Sequence, residues 1–295
     1  MLPREILRQV RRLQLKARRA VEDLLGGEYH SVFKGMGIAF EEVREYQPGD
    51  DIRTIDWNVT ARMGHPFVKQ YVEERELTVM LLVDLSASGQ FGSVARFKSE
   101  IACELCAVLT LSAIRNNDKV GLILFTDRIE RYIAPQKGRN RALQVIRELL
   151  TFDLQGRGTD LGHALEYLHK VCRRRSVSFL ISDFLATDYE RPLRLAHKRH
   201  DLIPICVADP REMALPDVGL IVLRDLESGE HALVDTGSAA VRRAYRERRE
   251  AAARARARLF RSLGIDVIDV STREAYIHPL MRFFRLREKR RREGR

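Results

Sequence analysis

No apolar run in this 295-residue chain approaches the roughly 18 residues that a membrane-spanning helix needs. The basic N-terminus is not followed by an apolar, signal-like segment either. Cysteine is scarce: Cys103, Cys106, Cys172 and Cys206 are the only four, scattered in apolar settings. That excludes a disulfide framework and agrees with a reducing compartment, so a cytoplasmic protein is expected. Cys103 and Cys106 form a C-x-x-C within a helical pattern, but no second Cys or His pair stands at metal spacing, and buried thiols on a helix face are expected. Nucleotide fingerprints are missing: there is no G-x-x-x-x-G-K-[ST], and Gly35-Met36-Gly37 lacks the third glycine of a dinucleotide loop. Among the eight histidines there is no H-E-x-x-H and no catalytic Ser-His-Asp order; His197 and His200 fall in the basic string H-K-R-H and are expected at the surface.

What is present begins with 45% hydrophobic residues, ample for a core, and a net charge of +11 that is unevenly spread. Residues 1–20, 241–262 and 281–295 together carry +19, which leaves the rest of the chain at about −8. Nucleic acid or an anionic surface is one reading of these Arg-rich helical segments. No aromatic interleaving or nucleic-acid motif accompanies them, so solvated helix faces are the favoured reading and nucleic acid the less favoured partner.

The chain is organised around T-V-M-L-L-V-D-L-S-A-S, residues 78–88. Val79 to Val83 are apolar without alternation, as suits a strand covered on both faces, and the strand then stops in Asp84, Ser86 and Ser88. Ligands gather at the carboxyl ends of strands in open α/β sheets, so this cluster of oxygens stands where a hard cation would bind. A helix is expected from Ala95 to Asn116, opening near Val94, then a buried strand over Asp118–Asp127 and a short antiparallel partner over Arg131–Ala134, ending before Pro135. Further helices are expected over Arg141–Leu150 and Thr159–Val171, and further strands over Ser176–Asp183 and Leu202–Ala208. The alternation gives an α/β class with a doubly wound, mostly parallel, Rossmann-like sheet. Thr159, just ahead of its helix, and Asp183, ending V-S-F-L-I-S-D, point to the same sheet edge as Asp84. Asp160 is a candidate outer-shell group. Alternatively the hydroxyls of Ser86, Ser88 and Thr159 cap the helices that follow them.

Ahead of this body, Arg4–Leu25 reads as an amphipathic helix with Val10, Leu13, Ala17 and Val21 on one stripe, ended by Gly26-Gly27. Glu28–Glu76 has no helical period. Its string R-E-Y-Q-P-G-D-D-I-R-T-I-D-W, residues 44–57, turns at Pro48-Gly49 and crowds Asp50, Asp51 and Asp56 beside Trp57, the only tryptophan. The carboxylates are expected to pair with Arg44, Arg53 and Arg62 and hold a small subdomain together; an acid/base or metal cluster is the alternative. Beyond the body, a hairpin is expected over Val218–Leu226 and His231–Asp235, then a long Arg- and Ala-rich helix over Ser238–Ser262, a strand over Ile265–Val270, and a helical segment Arg273–Arg295 in which Tyr276, Leu280 and Phe284 dock. The expected division is 1–77, 78–272 and 273–295.

The order Gly27, Ser31, Lys34, Gly35, Gly37, then Arg44, Tyr46, Pro48, Gly49, Asp50, Asp51, Arg53, Asp56 and Trp57, then Ala61-Arg62 and E-E-R-E-L at 73–77, resembles the bacterial family called domain of unknown function 58. Its members carry a von Willebrand factor A-like domain. The resemblance implies a metal-ion-dependent adhesion site, D-x-S-x-S with a Thr and an Asp on two further loops. Ser86, Ser88 and Thr159 would ligate Mg²⁺ (or Mn²⁺) directly, Asp84 and Asp183 would act mainly through water or hydrogen bonds, and a partner's carboxylate would take the open position. It also implies association with a MoxR-type AAA+ ATPase, as an adaptor through which a client protein is remodelled or receives a cofactor. The family commonly has Met after D-x-S-x-S, where this chain has Gly89. A metal-dependent phosphatase is a further alternative, disfavoured because such enzymes need a second Asp two residues after the first, where Ser86 stands.

Overall fold

The computed structural model describes residues 12–17, 20–21, 38–73, 77–94, 96–152 and 155–293. The Gly26-Gly27 stop, the motif positions from Gly27 to Gly37 and residues 74–76 of E-E-R-E-L lie outside the described residues. Of the expected N-terminal helix, residues 12–17 and 20–21 are helical, and Ala17 and Val21 are buried in the core.

Strand β1 (Ile38–Glu45) pairs antiparallel with β2 (Phe67–Glu73), and the short helix α1 (Trp57–Met63) lies between them in sequence. The Pro48-Gly49 turn closes with the Asp50 N–H on the Gln47 carbonyl at 3.0 Å and puts Gly49 at φ 110°, where a side chain would strain the backbone. Of the expected Arg–carboxylate network one pair forms: Arg44 grips Asp50 with two bonds, at 2.7 and 2.8 Å. Asp51 instead accepts from the backbone N–H of Arg53, and Asp56 caps α1 through the N–H groups of Asn58 and Val59, with Lys69 at 3.4 Å. Short acidic residues ahead of a helical turn satisfy its free N–H groups more readily than they reach a distant guanidinium. Arg62 makes no ion pair among the described residues, and Trp57 is 69% exposed.

The body is a six-stranded sheet. Its strands are β3 (Thr78–Asp84), β4 (Lys119–Phe125), β5 (Ile129–Gln136), β6 (Val177–Ser182), β7 (Asp201–Ala208) and β10 (Ile268–Ser271), in the order β10-β7-β6-β3-β4-β5. Only β5 runs antiparallel to its neighbour. Successive side chains of a strand face opposite sides, so Val79, Leu81 and Val83 enter one core and Met80 and Leu82 the other. The first core is covered by α2 (Lys98–Arg115), α3 (Arg139–Thr151) and α8 (Ile277–Arg292) through residues such as Ile101, Leu105, Val145, Leu280 and Phe284. The second is covered by α4 (Leu161–Val171), α5 (Glu190–Arg199) and α7 (Ala239–Ser262), through Leu161, Leu165, Leu193 and Phe260. This is the doubly wound, mostly parallel α/β class expected from the sequence, with strand order reversing between β3 and β6. Outside it stand the one-turn helix α6 (Pro210–Met213) and the separate hairpin of β8 (Leu220–Arg224) and β9 (His231–Asp235).

Several expectations are corrected. Helix α2 opens at Lys98, not near Val94, because residues 87–90 form a 3-10 turn and Glu100 accepts the Phe97 N–H at the true start. Strand β5 runs through Pro135; as a sheet edge it needs no N–H there. Helix α5 has only Leu193 and Ala196 buried, too few apolar residues for a readable period. His200 is not at the surface: it is 1% exposed, with Nδ1 2.9 Å from Ser176 Oγ.

Candidate metal centre

Parallel strands β3 and β6 end side by side at the point where the strand order reverses, so the residues that terminate them share one crevice. Asp84 ends β3 and is 8% exposed; its Oδ1 accepts the Ser86 N–H at 2.9 Å and its Oδ2 the Ser182 hydroxyl at 2.6 Å. Burial, reinforced by the charge of Asp183, pushes the Asp84 carboxyl up to about 6 against the pull of those hydrogen bonds. The chain then turns, bringing the Ser86 and Ser88 hydroxyls within 3.0 Å of each other. Neither caps α2, whose start lies ten residues beyond Ser88, and the Ser86 side chain caps nothing in the turn that follows it. Capping, the ordinary use of such residues, does not account for this pair.

Asp183 follows β6 and faces Lys98, the first residue of α2. The Lys98 ammonium is almost fully buried and bridges Asp183 Oδ2 at 2.6 Å and Glu212 Oε1 at 2.5 Å. Burial alone would favour the neutral amine, but the two carboxylates outweigh it and hold Lys98 more firmly protonated than a free lysine. Nothing in the sequence singles out Lys98, Ser182 or Glu212. The only trace is a lysine beginning an otherwise apolar helix stripe.

Asp84, Ser86, Ser88, Lys98, Ser182 and Asp183 line a recess of about 20 Å³, room for one water-sized occupant. Thr159 does not line it. Its loop is nonetheless pinned to the serine turn, where the Ala87 N–H donates to the Arg157 carbonyl at 2.9 Å. The Thr159 hydroxyl donates instead to Glu227 Oε1, at 2.8 Å, on the turn of the β8–β9 hairpin. Asp160 caps α4 through the His163 N–H at 2.8 Å.

The two serine hydroxyls have the spacing that ligands of a small hard cation take. Adjacent corners of an Mg²⁺ octahedron with bonds of about 2.05 Å stand roughly 2.9 Å apart, and the two serine oxygens are 3.0 Å apart. Among the described residues no group of three or more His, Cys, Asp or Glu side chains is placed to hold a metal ion. Any cation here would rest on hydroxyls and on few carboxylates. The crevice, the Arg44–Asp50 clamp and the caps of Asp51 and Asp56 belong to one contiguous stretch of sequence, and the family described as "protein of unknown function DUF58" matches it over residues 42–257. The chain belongs to the DUF58 family. An uncharacterized protein of Mycobacterium bovis is 36% identical over 223 residues, covering 75% of this DUF58 chain and 70% of its own length. An uncharacterized protein of Mycobacterium avium is 31% identical over 160 residues, 53% of this chain and 94% of that protein. Among solved structures, the chain is similar to the conserved hypothetical protein BatB from Bacteroides thetaiotaomicron (16% identity, 72% of this chain and 99% of that one, TM-score 0.47). It is also similar to the SpRpn10 VWA domain (17% identity, 45% and 76%, TM-score 0.33).

Proposed function

We propose that this DUF58 chain is a non-enzymatic interaction module that binds a partner protein's carboxylate through a divalent cation, Mg²⁺ or Mn²⁺. The observation that carries the reading is the pair of uncapped serine hydroxyls 3.0 Å apart, beside two buried carboxylates at the reversal point of the sheet. Ser86 and Ser88 would hold the ion directly, and Thr159, which lies outside the recess on a loop pinned to the serine turn, would join them by a shift of that loop. Asp84 holds the turn through the Ser86 N–H, and Ser182 orients its other oxygen. Asp183 pairs with the buried Lys98 ammonium at the same recess. When bound, the cation supplies a Lewis-acidic position that hydroxyls cannot neutralise, and a carboxylate from outside is the ligand it lacks. By its family resemblance the partner is a MoxR-type AAA+ ATPase, for which the module would act as a chaperone-like adaptor towards a client. No second acid stands two residues after Asp84 to support phosphoryl transfer.

The test is a calorimetric Mg²⁺ titration of the protein and of Asp84→Ala, followed by capture of partners from a bacterial lysate with Mg²⁺ or with chelator. Binding of one equivalent, lost in the variant at unchanged circular dichroism, together with metal-dependent capture, is the expected result. Capture indifferent to chelator and to Asp84 but abolished by salt would sink it and turn attention to the Arg-rich α7, which buries only Phe260.

A further inference from the structure

The β8–β9 hairpin is an arm. It forms a two-stranded sheet of its own, and Leu220, Val222 and Leu233 lie more than 60% exposed along it. Its base is fixed: Thr236 donates its hydroxyl to the Gly219 carbonyl at 2.6 Å and accepts the Val218 N–H at 3.2 Å, while Arg242 holds Asp217 at 3.0 Å. Its tip is equally well built. Asp225 Oδ1 accepts the N–H groups of Glu227 and Ser228 at 2.8 and 2.9 Å, the Gly229 N–H returns to the Asp225 carbonyl at 2.9 Å, and Gly229 supplies the positive φ, 78°, that closes the turn. Those bonds hold the Asp225 carboxyl below the usual carboxylate range. The turn thus presents Glu227 in a fixed direction, and that direction ends on the Thr159 hydroxyl at 2.8 Å. A methyl group on Gly158 would come within 3.9 Å of the other Glu227 oxygen, so the carboxylate lies along the loop as well as on its threonine.

We propose that Glu227 is this chain's own carboxylate for the metal centre: the arm holds it on Thr159, just outside the recess, from where it moves with the Thr159 loop into the place a partner's carboxylate would occupy, and a partner binds by displacing it. The proposal rests on the metal reading above and names what competes at that site. A carboxylate placed beside the loop that carries a would-be ligand adds affinity for a cation and subtracts it from any second carboxylate. Its removal therefore moves two affinities in opposite directions, which loss of a merely structural contact does not do.

The experiment uses the full chain as wild type, Glu227→Gln, and Glu230→Gln as a control on the same turn, where the side chain is exposed. Mg²⁺ alone is titrated by calorimetry; then, at saturating Mg²⁺, a fluorescent peptide with a single glutamate is titrated by anisotropy. Glu227→Gln is expected to bind Mg²⁺ roughly tenfold more weakly and the peptide roughly tenfold more tightly, the scale of one hydrogen bond to a charged group, with Glu230→Gln like wild type. Both affinities unchanged, or both falling together, would overturn the role of Glu227 while leaving the metal reading intact. Absence of Mg²⁺ binding in all three proteins would overturn both.

Discussion

Asp84 and His200 are both buried and titratable, and burial acts on them with opposite sign. It raises the carboxyl to about 6 and lowers the imidazole to about 4, each towards its neutral form. For His200 the causes are burial first, then the charge of Arg199. From pH 6.5 down to about 4 the unfolded chain takes up a proton on this residue that the folded chain refuses, so stability falls as pH falls through that window. The loss approaches about 3 kcal/mol. Asp84 acts the other way between about 6 and 3.8, so the comparison must be between proteins, not between pH values. His200→Gln should flatten the dependence: urea midpoints of the two proteins at pH 7.5 and pH 5 should converge at the lower pH, and parallel slopes would refute the assignment. Asp84 was legible in the sequence because a carboxylate at the end of an apolar run has a known position in an open sheet. His200 was not, since H-K-R-H reads as surface, and only the fold reveals that Ser176 waits beside its last residue. Lys98 and Glu212 were equally silent, because an ion pair between residues more than a hundred positions apart leaves no local pattern.

At the scale of elements, the serine turn is held by contacts at both ends. Asp209, fully buried at the end of β7, accepts the Ser93 N–H and hydroxyl, the Thr272 hydroxyl and the Arg211 N–H. Burial would raise its pKa, but these bonds prevail and hold it below the usual carboxylate range. Asp209→Ala leaves three segments unclamped at once and should cost about 2–4 kcal/mol. It should also weaken Mg²⁺ binding, measured by thermal melts with and without Mg²⁺; a variant as stable as wild type would show that the clamp is dispensable. On the other side, a Cβ at Gly156 would collide with the Asp127 and Thr126 side chains. Gly156→Ala should therefore shift the Thr159 loop and lower Mg²⁺ affinity several-fold at nearly unchanged core stability. Equal affinity would mean that the loop absorbs the methyl without moving Thr159. Periodicity located most strands and the long helices, but α5 escaped because its two buried residues fall below what periodicity can detect.

Across the whole molecule, the C-terminal helix belongs to the body's core. Tyr276, Leu280, Phe283 and Phe284 are buried in it, and Arg287 binds Asp201 with two bonds at 2.6 and 2.7 Å and Asp266 at 3.0 Å. Arg287→Ala strands the Asp201 carboxylate at the start of β7 and should cost about 3–5 kcal/mol, read from urea unfolding; a cost below about 1 kcal/mol would mark the network as solvent-screened. The docking of Tyr276, Leu280 and Phe284 was legible from their spacing. Strand order was not, because nothing local in a strand names its neighbour.

The two ends of the sheet have a consequence of another kind. One edge strand, β5, carries Pro135 and two breaks in its register with β4; the other, β10, is four residues long. A strand that lacks a donor, kinks, or ends after four residues makes a poor template for a foreign chain. Both edges of the six-stranded sheet are thereby poor starting points for lateral growth, and the same residues that make those edges irregular guard this sheet against fibril-like pairing.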